Sequence, residues 1–275
     1  MYRFWSALVQ PLLRDLDPRV LVEVGAARGQ NTRNLVAFAD GRDVAVHAID
    51  PAPAFDPDAL RPAAPARFVF HRATSLEALP RAGAGDVVLL DGDHNWYTVY
   101  HELELLDRLA AEARVPFPVV ILHDVGWPYG RRDLYYDART VPEEARQPCA
   151  RGGLSPGRSE LQGSRGLNAF LVHAAHEGGP RNGVRTAIDD FLAARSGELT
   201  AVFAQAVHGI GVLLPAERVP PGGVARDLVD APEATLARLG VYDLAEEHRI
   251  RAQIALFETQ RELARAQRRL ADLEG

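Results

Sequence analysis

The chain contains no lysine, so all 31 of its basic residues are arginine. That absence excludes Schiff-base chemistry, a phosphate-loop lysine and a lysine general base. A single cysteine, Cys149, excludes an internal disulfide framework and any cysteine-rich zinc module, and fits a reducing, cytoplasmic setting. No apolar run approaches the length that crosses a bilayer. The N-terminal stretch MYRFWSALVQPLLRDLDPR is broken by Pro11 and by charges, and lacks the charged start and small-residue cleavage site of a secretory leader. No membrane partner is expected. Nor is there a basic excess: the formal charge is -6, against the many phosphate contacts a general nucleic-acid binder needs. What is present is ordinary for a globular protein. The 275 residues are 47% hydrophobic and 25% charged, enough apolar side chain to bury a core and too much for wholesale disorder.

Apolar runs of strand length alternate with helix-period stretches through the first two thirds. Strands are predicted at 19–24, 44–49, 67–71, 86–91 and 118–123. Val87–Leu90 and Val119–Leu122 are apolar on both faces, as in parallel strands covered by helices. The clearest helix is 95–113, where Trp96, Val99, Tyr100, Leu103, Leu106 and Leu109 recur at helical spacing. This alternation predicts an α/β, doubly wound, mostly parallel sheet.

The later part differs. Residues 125–182 are rich in Gly, Pro and Arg and read as a long lid-like insertion without regular elements. A helix near 183–195 follows, with Asn182 or Thr186 as its cap. Two strand-like runs, LTAVFAQAV and GIGVLLP, then meet at His208 and Gly209, the pattern of an antiparallel hairpin. Residues 216–245 read as a linker with one short helix. From Glu246 to Gly275 the composition is that of an amphipathic helix: Leu256, Leu263 and Leu270 are seven apart, with Phe257, Ala264 and Ala271 beside them. Such a helix either packs on its own domain or forms a short coiled coil that makes a homodimer or higher homo-oligomer.

Two constellations carry chemistry. In VLVEVGAARGQNT, Gly25 and Gly29 frame the turn between the first strand and a helix, where glycine permits positive φ and lets a ligand approach the backbone amides. Position 27 is Ala, so the dinucleotide fingerprint G-x-G-x-x-G is absent. Glu23 precedes the turn, and Asp50 ends the second strand, where a carboxylate can hold two ribose hydroxyls. Each feature alone is compatible with a plain α/β turn; together, on successive strands, they favour a cofactor site. The segment resembles the class I S-adenosylmethionine-dependent methyltransferases, whose sheet has seven strands. The resemblance spans about residues 18–215 and implies a cofactor loop at Glu23, Gly25 and Gly29, a ribose acid at Asp50 and an adenine contact at Ser75. It also makes 1–215 the methyltransferase domain, ahead of the 216–245 linker and the 246–275 helix.

The second constellation lies at the ends of strands four and five: Asp91, Asp93 and His94 in LLDGDHNW, and His123 and Asp124 in VILHDVGW. Neighbouring strand ends face one crevice, and carboxylates crowded there repel unless a cation or substrate balances them. Asp93 or His123 alone would also suit helix capping or loop orientation. The spacing resembles the metal-dependent O-methyltransferases, and within them the group that methylates hydroxyls of sugars and other natural-product scaffolds. That resemblance implies that Asp91, His123 and Asp124 ligate a divalent cation, that His94 is the general base, and that Asp91 also lies near the cofactor sulfur. Imidazole suits Mn²⁺, Fe²⁺ or Zn²⁺ better than Mg²⁺, so His123 implies either a softer ion or a residue that stays outside the ligand set or rivals His94 as base. The expected acceptor is a small molecule, a sugar hydroxyl first and a phenolic or catechol-like hydroxyl second. The rival to catalysis is an idle methyltransferase-like assembly module. Trp127, Tyr129, Tyr135 and Tyr136 would supply platforms for the acceptor. Arg131, Arg132, Arg151, Arg158 and Arg165 either bind an anion on it or are simply solvated.

Overall fold

The runs that are apolar on both faces become the inner strands of a sheet. The structure, a computed structural model, describes residues 1–60, 67–195, 197 and 199–274. The first five strands are β1 (Val20–Val24), β2 (Ala45–Ile49), β3 (Phe68–His71), β4 (Val87–Leu90) and β5 (Val119–His123). The insertion adds β6 (Leu134–Tyr135), β7 (Cys149–Arg151) and β8 (Val172–Ala174), and the hairpin is β9 (Leu199–Ala204) and β10 (Ile210–Pro215). The main sheet has seven strands in the order β3-β2-β1-β4-β5-β10-β9. All neighbours are parallel except those of β10, which runs antiparallel to both β5 and β9.

Alternation along the strands divides the core into two layers. Leu21, Leu89 and Ile121 face one side, where α1 (Gln10–Leu16) and α2 (Gln30–Ala39) pack. Val22, Val88, Leu90, Val120 and Leu122 face the other, covered by α3 (Ser75–Ala82), α4 (Trp96–Ala113) and α5 (Val184–Ala194). Asn95 caps α4 by accepting from the Thr98 amide at 2.8 Å. Neither residue proposed as a cap serves α5: Asn182 Oδ1 accepts from the Asp133 amide, and the Thr186 hydroxyl donates back to the Asn182 carbonyl.

Three stretches differ from the sequence reading. The N-terminal segment is helical throughout, with 3₁₀ and π turns over Tyr2–Phe4 and Trp5–Val9 leading into α1. Phe4, Leu8, Leu12 and Leu13 are fully buried, a helical stripe that Pro11 does not break because it sits in the first turn of α1. The expected linker carries two helices, α6 (Val224–Asp230) and α7 (Pro232–Arg238), and buries Ala225, Leu228, Leu236 and Val241 in the first core layer. The insertion is folded rather than irregular. Its strands form an antiparallel sheet in the order β6-β8-β7, and its buried Arg132 donates to the carbonyls of Ala174 and Ser159.

Asp133 fastens this insertion to the main body. One of its oxygens accepts from the amides of Trp96 (2.7 Å) and Gly183 (2.6 Å), and the other from the Tyr135 hydroxyl (2.7 Å). The starts of α4 and α5 are thereby joined. The last helix, α8 (Asp243–Glu274), exposes Ile250, Ile254, Leu256 and Leu263. The seam positions Phe257, Ala264, Leu270 and Ala271 lie outside the described side chains, and Gly275 outside the described residues.

Candidate active site

The carboxyl ends of β1, β2, β4 and β5 lie side by side, and the turns leaving them build the site. Gly25, directly after β1, has φ +88°, and a Cβ there would overlap the Asp91 carbonyl at the end of β4. Glycine is therefore needed twice over, for the left-handed backbone and for the close approach. Gly29 (φ +71°) begins α2 beneath the Phe55 ring. Ala27 between them also has positive φ, +46°. Its amide donates to Asp50 Oδ2 at 2.8 Å, and its carbonyl accepts from the Ala54 amide at 2.7 Å. Asp50 Oδ1 accepts from the Ala52 amide at 2.8 Å. Asp50 thus ties the first two turns together, and each oxygen keeps a lone pair for a hydroxyl donor.

Glu23, in β1, is buried beneath the first turn of α2. It accepts from Asn31 Nδ2 (2.9 Å) and the Thr32 hydroxyl (2.5 Å), both in the first turn of α2. Burial raises its pKa to about 7, against the opposing bonds from Thr32 and Asn31. These bonds tie β1 to the start of α2. Ser75, the first residue of α3, is buried and favours the charged form of the Glu102 carboxylate of α4. Burial pushes the Glu102 carboxyl up to about 8. Among the described side chains, the buried polar atoms without a partner are Asn31 Oδ1 and Glu102 Oε1.

Three of the five predicted ionisable residues at the ends of β4 and β5 form one group. Donor atoms of Asp91, His123 and Asp124 all lie within 4.8 Å of one another. His123 Nδ1 is 3.1 Å from Asp91 Oδ1 and 2.7 Å from Asp124 Oδ2. His94 Nε2 lies 3.5 Å from the same Asp124 oxygen, and the Met1 α-ammonium 2.5 Å from Asp91 Oδ2. Burial alone would raise both acids. For Asp91, the Met1 ammonium, His123 and His94 outweigh it and lower the pKa; for Asp124, His94 and His123 do so. His123 shows the converse: burial disfavours its charge, but Asp91 and Asp124 raise its pKa to about 9. Asp93 stays out of the group and accepts instead from the Thr98 hydroxyl at 3.2 Å. Its pKa is raised by burial. It steadies the first turn of α4.

A backbone carbonyl that sequence reading missed orients His123. Its Nε2–H donates to the Val207 carbonyl at 3.1 Å, so Nδ1 faces the carboxylates. The β9–β10 hairpin supplies that carbonyl. Its connection is longer than the expected His208–Gly209 pair, because residues 205–209 leave the ladder. Val207, His208 and Gly209 all have positive φ, and the Gly126 amide is bonded to the His208 carbonyl at 2.8 Å. Three successive left-handed residues were not signalled by two β-type runs.

Residues of the insertion pack against His94. Tyr129 stacks on His94, with ring centroids 5.5 Å apart and planes inclined by 10°. Tyr136 meets His94 edge-on at 5.7 Å and is 59% exposed. Of the four expected platforms, Tyr135 is excluded by its burial and its bond to Asp133, and Tyr129 presents its face to His94 rather than to solvent. Arg131 is committed to Thr186 and Asp189, and Arg132 is buried in the insertion. Arg151, Arg158 and Arg165 are exposed.

Residues 22–125 match a family model described as a methyltransferase domain. This segment runs from β1 to the residue after Asp124 and contains every candidate ligand and the candidate base. The chain matches no curated protein. Among solved structures it is similar to the O-methyltransferase TomG from Streptomyces achromogenes, involved in tomaymycin synthesis and solved with S-adenosylmethionine (17% identity, 76% of this chain and 78% of that chain, TM-score 0.43). It is also similar to an O-methyltransferase from Bacillus cereus in complex with S-adenosylhomocysteine (16% identity, 76% and 80%, TM-score 0.43).

Proposed function

We propose that this chain, a class I S-adenosylmethionine-dependent methyltransferase, moves the cofactor's methyl group onto a hydroxyl oxygen of a small molecule, with a divalent cation assisting. The acceptor we assign is a sugar or glycosylated natural product; a phenolic or catechol-type hydroxyl is the second reading, favoured only by the exposed Tyr136 ring beside His94. One observation carries the proposal. Two acids and two imidazoles converge beside a glycine turn whose backbone touches the strand end that bears Asp91.

The residues fit a cation once the Met1 ammonium leaves Asp91 and His123 gives up its proton. Asp91, His123 and Asp124 offer two oxygens and one nitrogen within a single ion's reach, and the Val207 carbonyl holds the distal N–H of His123 as ligating imidazoles are usually held. A nitrogen in the set favours a softer ion than magnesium. When bound, the ion supplies positive charge that lowers the pKa of a nearby hydroxyl by several units. His94 would take the hydroxyl proton, and bound S-adenosylmethionine would supply the methyl group, its carbon–sulfur bond breaking as the carbon–oxygen bond forms. The products are the methyl ether, neutral S-adenosylhomocysteine and a protonated His94. Asp50 would hold the ribose hydroxyls, and the turn from Gly25 to Gly29 the rest of the cofactor. Ser75 would border the adenine.

The exposed apolar residues of α8 support self-association through residues 246–275. The lone, exposed Cys149 suits a reducing compartment, and among the described residues no helix is long and apolar enough to cross a membrane. Calorimetric titration with S-adenosylmethionine and then NADH tests the enzyme reading: micromolar binding of the first and none of the second is expected. Failure to bind the first would remove it. Activity that survives exhaustive chelation would remove only the cation.

A further inference from the structure

The candidate base is held from the insertion's side. His94 packs face to face on Tyr129, and Tyr129 in turn on His173, with centroids 5.9 Å apart and planes inclined by 13°. Three near-parallel rings therefore follow one another from the strand ends into the small sheet. The far end is fixed. His173 is fully buried in β8, and its Nδ1–H donates to the Gly152 carbonyl at 2.9 Å. That leaves Nε2 as an acceptor for the Tyr129 hydroxyl, 3.5 Å away. The hydroxyl also accepts from Asn168 Nδ2 at 2.5 Å. At the near end, the His94 carbonyl accepts from the Leu134 amide of β6 at 2.9 Å. The tyrosine is anchored at its hydroxyl end, and the imidazole stacks on its ring.

We propose that Tyr129 is a positioning residue, locked by Asn168 and His173, that holds the His94 ring in the plane from which it takes the acceptor proton. The inference rests on His94 being the base. Neither strand end could do this: Asp124 meets only the edge of the ring, at 3.5 Å, and one edge contact leaves it free to rotate. A general base must lie within hydrogen-bond reach of the proton it removes, and a displacement of about 1 Å at a reacting group costs roughly 10²-fold in rate. The insertion thus acts on the chemical step.

The test compares Tyr129→Leu, Tyr129→Phe and His94→Gln in the full chain. Each is assayed for kcat, KM and cofactor affinity, and observed by proton NMR of the histidine rings. In the wild type, the tyrosine ring current shifts the His94 ring protons upfield; His94→Gln identifies them. Tyr129→Leu should lower kcat about 30-fold or more, leave cofactor affinity within about 2-fold, and return the His94 resonances to ordinary positions. Tyr129→Phe keeps the stacked ring and should retain both the shifted resonances and most of kcat. An unchanged kcat in Tyr129→Leu would overturn the proposal. Wild-type His94 resonances at unshifted positions would do the same without any variant that must fold. Full turnover in His94→Gln would instead overturn the base assignment, leaving the shifted resonances as evidence of packing alone.

Discussion

His123 and Asp124 are adjacent in the chain, yet their side chains meet, with Nδ1 2.7 Å from Oδ2. Successive residues of an extended strand point to opposite faces. The contact exists because β5 ends at His123 and Asp124 adopts a left-handed φ of +59°, which turns its carboxylate back toward the strand end. A non-glycine residue held there costs about 1–3 kcal/mol, and such residues cluster at functional sites. This turn gathers two neighbouring side chains around one point.

The first expectation concerns the cation and pH. With its pKa raised to about 9 by Asp91 and Asp124, against the opposing effect of burial, His123 is an imidazolium at neutral pH and must release a proton before Nδ1 can ligate. Affinity for Mn²⁺ should therefore rise about tenfold per pH unit between pH 6 and 8. His123→Asn should flatten that slope. Titration of the full chain with Mn²⁺ in matched buffers measures it, and a pH-independent affinity in the wild type would exclude His123 from the ligand set.

The glycine turn gives the second. Gly25→Ala places a Cβ onto the Asp91 carbonyl at a φ that L-residues rarely adopt. The strand end or the turn must shift, so we expect a loss of about 2 kcal/mol or more in stability and at least about a tenfold loss in S-adenosylmethionine affinity. Gly41→Ala is the control: its φ is also positive, but nothing lies within 4 Å of the added carbon. Equal cofactor affinity in the two variants would contradict the role given to Gly25.

Burial of Glu102 predicts a pH-dependent stability. Its carboxyl ionises near 4.5 when unfolded but about 8 when folded, so between these values the unfolded chain gives up its proton first. Stability from this group falls as pH rises through that window, and the loss is complete above about pH 8. Glu102→Gln should be nearly neutral at pH 4.5 and stabilising by about 1 kcal/mol or more at pH 8. Urea denaturation at the two pH values measures the difference. A gain of equal size at both would show that the carboxyl titrates normally.

Much of this was legible in the sequence, for identifiable reasons. Val87–Leu90 and Val119–Leu122 had to be inner parallel strands because they are apolar on both faces. Asp91 directly follows the first, and His123 and Asp124 the second, so topology alone brought them to one crevice. What stayed hidden depends on contacts between distant segments. Nothing in the Arg- and Gly-rich insertion announced that Asp133 would bind the amides of Trp96 and Gly183. The Val207 carbonyl is invisible to side-chain reasoning, since any residue type carries one. Tyr135 and Tyr136 are neighbours of the same type. Only β6 decides that the first is buried against Asp133 and the second left at the mouth.

In the proposed reaction His94 removes the acceptor proton, and the site binds its cofactor without it. The most direct measurement is the single-turnover rate of His94→Ala with saturating S-adenosylmethionine, Mn²⁺ and a hydroxylated acceptor, beside the calorimetric affinity for the cofactor. We expect the rate to fall by about 10²-fold or more with cofactor affinity within about 2-fold of wild type. A wild-type rate in this variant would contradict the account.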